Sequence, residues 1–163
     1  MKNENIKKLV FSISILILVF LLDRVSKILI LNILDATGRV DIYINSFLNF
    51  YLVWNKGIGF GLLSSDQDNF YNIVTALIVL INFIIIYLLF KEKGVKYYFL
   101  LFILGGSLGN LFDRIYFRAV PDFIDLNYNG YHWFIFNVAD IFITIGIILL
   151  ILAEFLSYKK VNE

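Results

Sequence analysis

The chain has 163 residues, of which 60% are hydrophobic and 17% charged, and its mean hydropathy is +0.82. A chain of this length cannot bury so many apolar residues in one core, so an ordinary soluble domain is excluded and a bilayer is the natural solvent. The net charge of +1 creates no field that attracts nucleic acid, and we expect no such partner. The lack of Cys and the single His132 exclude thiolate sites and a zinc site built on several imidazoles.

Four apolar stretches are long enough to cross about 30 Å of hydrocarbon at about 1.5 Å per residue. They lie near residues 9–31, 70–90, 96–117 and 136–156. The first follows a basic segment, as the apolar part of a signal peptide does, but no small-residue cleavage site follows it, so we interpret it as a retained helix. The sequence therefore predicts one domain over residues 1–163, an all-α membrane bundle of four transmembrane helices.

Basic residues are distributed unevenly between the connections. Lysines cluster before the first span, between the second and third spans, and after the fourth: Lys2, Lys7, Lys8, Lys91, Lys93, Lys96, Lys159 and Lys160. The positive-inside rule therefore predicts that both termini are cytoplasmic and that the two remaining connections face outward.

The first outer connection has the pattern of a small sheet. Apolar and polar residues alternate over 40–45, and a run rich in β-forming residues continues to Trp54. We expect an extracytoplasmic β-sheet near residues 40–62. In the second outer connection, an aromatic run at 131–134 is typical of an interfacial belt.

Placing an ionisable residue inside a membrane span costs free energy, so such residues indicate a structural or functional role. The helical rise places polar residues of the first, third and fourth spans at one depth, in the outer half of the bilayer. These residues are Asp23, Arg24, Lys27, Asn110, Asp113, Arg114, Asn137 and Asp140. Three helices that bring polar groups to one level predict a site.

Structural interpretations of the same residues remain open. Asp23 with Lys27 is spaced i, i+4 and fits a self-neutralised pair, and Asp113 with Arg114 fits an ion pair between helices. The Gly-x-x-x-Gly pattern at 105–109 fits plain helix packing as well as the close approach of a substrate.

Asp122 and Asp140 are the most informative acids. Asp122 lies in the second outer connection, and Asp140 has no Lys or Arg within a helical turn. Two carboxylates within reach of each other share a proton, so that one accepts a proton from water while the other donates one to a leaving group. This is the chemistry of an aspartic peptidase. Alternatively, Asp122 caps a turn and Asp140 binds backbone, and His132 is a weaker candidate base because aromatic residues surround it.

Five short motifs occur in order along the chain. They are DRVSK at 23–27, NKGIGFG at 55–61, GNLFDR at 109–114, VPDF at 120–123 and FNVAD at 136–140. In this order and with four spans, the sequence resembles the lipoprotein signal peptidase (signal peptidase II) family of bacterial membrane aspartic peptidases. The resemblance covers nearly the whole chain. Gly59 stands where many relatives carry Ala, a small change that leaves the expected activity intact.

The resemblance implies that Asp122 and Asp140 form a catalytic dyad beside an outer β-cradle. It implies supporting or substrate-binding roles for Asp23, Lys27, Asn55, Gly109, Asn110, Asp113, Arg114 and Asn137. The implied reaction, without metal or cofactor, is hydrolysis of the peptide bond just before a diacylglyceryl-modified Cys of a prolipoprotein. The implied partners are such prolipoproteins, membrane lipid and globomycin-type inhibitors. The implied enzyme is a monomer of the bacterial cytoplasmic membrane with its site near the outer face.

Two other functions fit parts of the sequence. A small membrane transporter would need polar residues through the full depth of the bilayer, whereas the second span has few. A non-catalytic membrane assembly protein would dock through the glycine face at 105–109 and would tolerate the loss of Asp122 or Asp140.

Overall fold

The computed structural model describes residues 2–57, 68–128 and 131–162. Four helices and four strands lie in this part of the chain. In order they are α1 (Lys2–Thr37), β1 (Asp41–Asn45), β2 (Leu48–Asn55), α2 (Asp68–Lys91), α3 (Val95–Phe117), β3 (Val120–Tyr128), β4 (Tyr131–Phe136) and α4 (Val138–Asn162).

All four helices contain a stretch long and apolar enough to cross a membrane, as the sequence predicts. Two of these helices, α1 and α4, are longer than the apolar stretches predicted from the sequence. α1 extends beyond residues 9–31 at both ends, and α4 continues past residue 156. The C-terminal extension of α1 packs Ile33 and Leu34 against the sheet. Such tertiary packing stabilises helical turns that the length of the apolar stretch alone does not predict.

α3 lies at the centre of the bundle and contacts each of the other three helices. Its glycines allow two close approaches. A Cβ atom at Gly105 would lie 2.9 Å from Cβ of Val19 in α1, and one at Gly106 would lie 2.5 Å from the carbonyl oxygen of Ala139 in α4. The Gly-x-x-x-Gly face is therefore filled by neighbouring helices, which supports the packing interpretation.

The strands form one antiparallel sheet in the order β1-β2-β3-β4. β1 and β2 lie within the region near 40–62 where a sheet was expected, whereas residues 58–62 are outside the described part of the chain. The connection between α3 and α4 contributes β3 and β4, which the aromatic pattern alone does not predict. Residues 120–123 are all buried, so β3 lacks the alternation that identifies a half-exposed strand.

The sheet packs against the C-terminal end of α1. A buried apolar cluster forms at this contact, with partly buried residues of β1 and β2 around it. Its members are Ile30 of α1, Val40, which precedes β1, and Phe123 of β3. This packing fixes β3 next to the start of α4. It thereby brings two distant parts of the sequence, around residues 122 and 140, to one place.

Candidate active site

Asp122 is a buried acid held by two amide side chains. It lies near the start of β3 with 2% of its surface exposed. Its Oδ2 accepts a hydrogen bond from Nδ2 of Asn55 at 2.8 Å, and its Oδ1 accepts one from Nδ2 of Asn137 at 2.6 Å. Asn55 ends β2 and pairs in register with Val120, so the sheet itself aligns the amide with the carboxylate.

Asp140 lies in the first turn of α4. Its Oδ1 accepts a hydrogen bond from Nδ2 of Asn110 at 2.8 Å, and its Oδ2 accepts one from the backbone N–H of Asn137 at 3.1 Å. In return, the side-chain oxygen of Asn137 accepts the backbone N–H of Asp140 at 3.2 Å. This reciprocal pattern is a capping box in which an Asp replaces the usual Glu or Gln. The cap that starts α4 therefore also orients the carboxylate.

Asn137 contacts both acids, and we call Asp122 and Asp140 the acid pair. Burial, together with the negative charge of Asp140, raises the pKa of Asp122 to about 7, although hydrogen bonds from Asn55 and Asn137 oppose the shift. Because Asn137 binds both buried carboxylates, ionisation of one disfavours ionisation of the other. Near neutral pH Asp122 can therefore hold a proton.

A second group of buried ionisable residues lies between α1 and α3, and we call Asp23, Arg24, Lys27 and Asp113 the charged cluster. Nζ of Lys27 is 2.8 Å from Asp23 Oδ1 and 2.6 Å from Asp113 Oδ2. Arg24 contacts the same two acids, with Nη2 2.9 Å from Asp23 Oδ2 and 2.7 Å from Asp113 Oδ2. Two acids and two cations leave the cluster neutral, as burial inside a membrane requires.

The charged cluster is connected to the acid pair. Lys27 donates to Oδ1 of Asn110 at 2.9 Å, and the same Asn110 donates to Asp140. Asp23 Oδ1 accepts the backbone N–H of Ala139 at 3.1 Å, which holds the first turn of α4. A Cβ atom at Gly109 would lie 2.7 Å from Asp23 Oδ2, so glycine there makes room for this carboxylate.

Arg114 links α3 to α2 and to the end of β2. Its side chain is 3% exposed and donates to the carbonyl oxygen of Gly57. The Tyr71 hydroxyl donates to the Arg114 carbonyl at 2.6 Å, and the guanidinium lies 5.5 Å from the centre of the Tyr71 ring. Asp113 pairs with α1 instead, so the suggested Asp113–Arg114 ion pair is wrong. Residues 58–61 of the glycine-rich motif lie outside the described part of the chain.

A cavity of about 270 Å³ opens beside Asp140. The sheet and α4 supply its walls, which are apolar apart from Asp140 and one threonine: Leu126, Phe134, Phe136, Ile141, Thr144 and Ile145. A substrate segment that reaches Asp140 from this side would therefore meet apolar surface around a single acid.

His132 contacts a different acid. Its Nδ1 lies 2.8 Å from Oδ2 of Asp125, which is fully buried in β3, while more than half of the His132 side chain is exposed. The histidine thus has a partner on the neighbouring strand and does not contribute to the acid pair.

The structure brings the predicted dyad and all of the predicted supporting residues into one connected polar layer, whereas His132 lies apart from it. Sequence reasoning noticed Arg24 inside the first span but assigned it no role, although it contacts both acids of the charged cluster. Its position next to Asp23 was the available signal. The capping role of Asn137 was also missed, and the spacing Asn-x-x-Asp at the start of an apolar stretch could have indicated it.

Comparison with known proteins identifies the family. The family described as "Signal peptidase (SPase) II" matches residues 15–156. A lipoprotein signal peptidase of Pelagibacter ubique (strain HTCC1062) is 50% identical over 164 residues, covering 100% of this chain and 99% of the relative. A lipoprotein signal peptidase of Anaplasma phagocytophilum (strain HZ) is 37% identical, covering 96% of this chain and 99% of the relative.

A solved structure of a bacterial membrane enzyme agrees with this fold, with a TM-score of 0.71 and 29% identity over 92% of this chain and 90% of the other. The fold and the relatives support a peptidase over a transporter or a non-catalytic assembly protein. The chain therefore belongs to the signal peptidase II family of lipoprotein signal peptidases and is a multi-pass membrane peptidase.

Proposed function

We propose that this peptidase works by an aspartic mechanism in which Asp122 and Asp140 are the catalytic residues. The observation that supports this most strongly is that Asn137 binds both buried carboxylates, while the pKa of Asp122 is raised to about 7. A general acid and a general base work best when their pKa values lie near the operating pH. Asp122 meets this condition, and no cation contacts either carboxylate among the hydrogen bonds described above.

In the proposed reaction the acid pair starts with one proton. The ionised carboxylate accepts a proton from water, and the water oxygen attacks the carbonyl carbon of the scissile amide to form a tetrahedral intermediate. The protonated carboxyl then donates its proton to the amide nitrogen as the C–N bond breaks. The products are a carboxylic acid and an amine, and the acid pair again holds one proton, now on the other partner.

The remaining predicted site residues support this pair. Asn55 and Asn137 orient Asp122, and Asn110 orients Asp140. Lys27 binds Asn110 and is itself held by Asp23 and Asp113. Gly109 leaves space for the Asp23 carboxylate. Arg114 anchors the chain at Gly57, where the glycine-rich motif begins.

The proposed substrates are diacylglyceryl-modified prolipoproteins, cut just before the lipidated Cys. Two features support a lipidated substrate: the apolar cavity beside Asp140 and the position of the polar layer near the ends of α3 and α4 that join the sheet. The uneven distribution of lysines supports cytoplasmic termini and a site near the outer face of a bacterial cytoplasmic membrane. We also propose that the enzyme acts as a monomer in contact with membrane lipid and binds globomycin-type inhibitors.

Cleavage of a synthetic prolipoprotein peptide by the purified enzyme in lipid vesicles tests this proposal. We expect Asp122→Asn and Asp140→Asn each to lower kcat by about 10³-fold or more, since each removes one proton-transfer group. Asp125→Asn is the matched control, because Asp125 is equally buried on the same strand but lies outside the acid pair. Near wild-type cleavage by a folded Asp122→Asn or Asp140→Asn enzyme would refute the catalytic assignment.

The same assay tests the substrate. A peptide whose Cys carries diacylglycerol should be cut, and the same peptide with an unmodified Cys should be cut at least tenfold more slowly, because it loses apolar contacts worth about 0.8 kcal/mol per buried CH₂. Equal rates for the two peptides would refute lipid recognition while leaving the acid pair untouched. Mass spectrometry of the products identifies the bond that is cut.

A further inference from the structure

Arg24 occupies an unusual place for an arginine. It lies inside a membrane span and is 9% exposed, and its guanidinium grips Asp113 with both terminal nitrogens, Nη1 at 2.5 Å from Oδ1 and Nη2 at 2.7 Å from Oδ2. Nη2 also lies 2.9 Å from Oδ2 of Asp23. This two-pronged contact consists of hydrogen bonds from Nη2 and an ion-pair contact from Nη1 that lacks hydrogen-bond geometry. The single ammonium nitrogen of a lysine could not reproduce it.

Aromatic rings hold the guanidinium in this position. Its central carbon lies 4.9 Å from the centre of the Phe112 ring and 5.9 Å from that of Phe20. The same two rings line an apolar groove between α1 and α3. The rings therefore stand between the cation and the groove, and attraction between the cation and the ring faces offsets part of the cost of placing a charge here.

The positive charge of Arg24 determines whether Lys27 can bind Asn110 as well as the two acids. An ammonium group has three N–H donors, and those of Lys27 are directed at Asp23, Asp113 and Asn110. Without Arg24, two buried carboxylates would share the single charge of Lys27, and the cluster would carry a net charge of −1. Lys27 would then be drawn toward the acids and away from Asn110, which is the neutral acceptor of the three.

Asn110 is the connection to the reaction. It accepts from Lys27 at 2.9 Å and donates to Asp140 at 2.8 Å, so only Lys27 and Asn110 separate the acids of the cluster from Asp140 along this route. The charged groups that act on the acid pair from the surrounding elements are Asp23 and Lys27 of α1 and Arg114 of α3. Arg24 touches neither Asp122 nor Asp140 in the hydrogen bonds and ion pairs described here.

We propose that Arg24 is a positioning residue for the peptidase reaction, which neutralises Asp23 and Asp113 so that Lys27 holds Asn110 against Asp140. This inference rests on the proposed roles of Asp122 and Asp140. It adds that a residue in α1, outside the contacts of the acid pair, sets both the geometry and the charge that Asp140 meets.

The test compares Arg24→Gln with Arg24→Lys in the full-length enzyme, using kcat, KM and the pH dependence of kcat/KM on the lipidated peptide. Loss of the positive charge should lower kcat roughly tenfold, since a small displacement of Asp140 is sufficient for this. KM should stay within about twofold, because Arg24 does not meet the cavity. The pH at which activity falls should rise by about 0.5–1 unit, since an extra negative charge nearby makes the shared proton harder to remove.

Arg24→Lys should bring that pH back toward the wild-type value, because the charge returns even though the two-pronged contact does not. Phe20→Leu is the matched control, since it removes a ring around Arg24 and keeps every charge, and it should leave the pH dependence unchanged. If Arg24→Gln is too unstable to purify, its cleavage rate and pH dependence are measured in isolated membranes that contain the enzyme, with its amount determined by immunoblot.

An Arg24→Gln enzyme with wild-type kcat and pH dependence would overturn the inference, as would an Arg24→Lys enzyme that behaves like Arg24→Gln. Failure of the proposed function gives a different result. In that case folded Asp122→Asn or Asp140→Asn enzyme retains cleavage, whatever Arg24 does.

Discussion

The acid pair and the charged cluster are two sets of buried carboxylates in one polar layer, and they differ in their partners. The acids of the charged cluster contact an ammonium and a guanidinium group. The acids of the acid pair are held by the side chains of Asn55, Asn110 and Asn137. A cation stabilises the ionised form of an acid, whereas a neutral amide restrains its position with much less effect on its charge.

On the proposed mechanism, this difference teaches how one protein keeps carboxylates for two purposes. Acids paired with cations fix helices against each other. Asp122, which is buried and held by amides, has a pKa of about 7, and this is the condition that the proposed proton exchange with a substrate requires. The partner of an acid therefore indicates its role better than its burial does, because Asp23, Asp113 and Asp122 are all buried.

The largest effect on stability should come from removing a cation of the charged cluster. Lys27→Met keeps the length of the side chain but leaves two buried carboxylates with one cation, and such a change costs about 3–5 kcal/mol. Thermal unfolding in detergent measures it. The control is Lys96→Met, which breaks the exposed pair with Glu154 and should leave the midpoint unchanged. Equal midpoints for the two variants would show that the cluster does not hold the bundle together.

The next effect concerns the acid pair and pH. The pKa of Asp122 is about 7 in the folded protein and lies near 3.9 in an unfolded chain. An acid shifted upward stabilises the fold at low pH, and this stabilisation is lost as the pH rises through about 7. Between pH 5 and pH 8, Asp122→Asn should therefore gain about 2–3 kcal/mol of stability relative to wild type.

Unfolding midpoints at the two pH values measure this gain. Asp35→Asn is the control, because Asp35 lies exposed near the C-terminal end of α1. Its substitution should leave the difference in stability between the two pH values as in wild type. If the stability of Asp122→Asn and wild type changes in parallel with pH, the acid pair does not hold a proton in the way described.

A smaller effect is expected at the glycine that makes room for the charged cluster. Gly109→Ala places a methyl group 2.7 Å from Asp23 Oδ2, and the overpacking should cost about 1–3 kcal/mol. Leu108→Ala, at the neighbouring exposed position, is the control and should cost less. The opposite order would mean that α1 and α3 can separate without disturbing the cluster.

Much of this arrangement is predictable from the sequence, for identifiable reasons. Membrane spans follow from the length of apolar stretches, and the depth of Asp23, Asn110 and Asp140 follows from the helical rise. The family motifs add Asp122 and Asn55, which lie on strands and have no depth that can be counted. All of these residues meet in the structure.

Other features could not be predicted because they depend on tertiary contacts. The strand that carries Asp122 is buried on both faces at its start, so its sequence lacks alternation. Asp113 precedes Arg114 in sequence but faces α1, where Arg24 and Lys27 are its partners. Helix packing determines whether Asp113 pairs with the neighbouring Arg114 or with the distant Arg24 and Lys27, and a single sequence does not reveal that packing.

The pH dependence of kcat/KM on the lipidated peptide tests the central claim most directly, since it reports the groups of the free enzyme that must exchange protons. If Asp122 and Asp140 share one catalytic proton, activity should rise from acidic pH, pass through a maximum and fall with a midpoint near pH 7, where the pKa of Asp122 lies. An activity that keeps rising to about pH 9 would contradict a shared proton between these two acids.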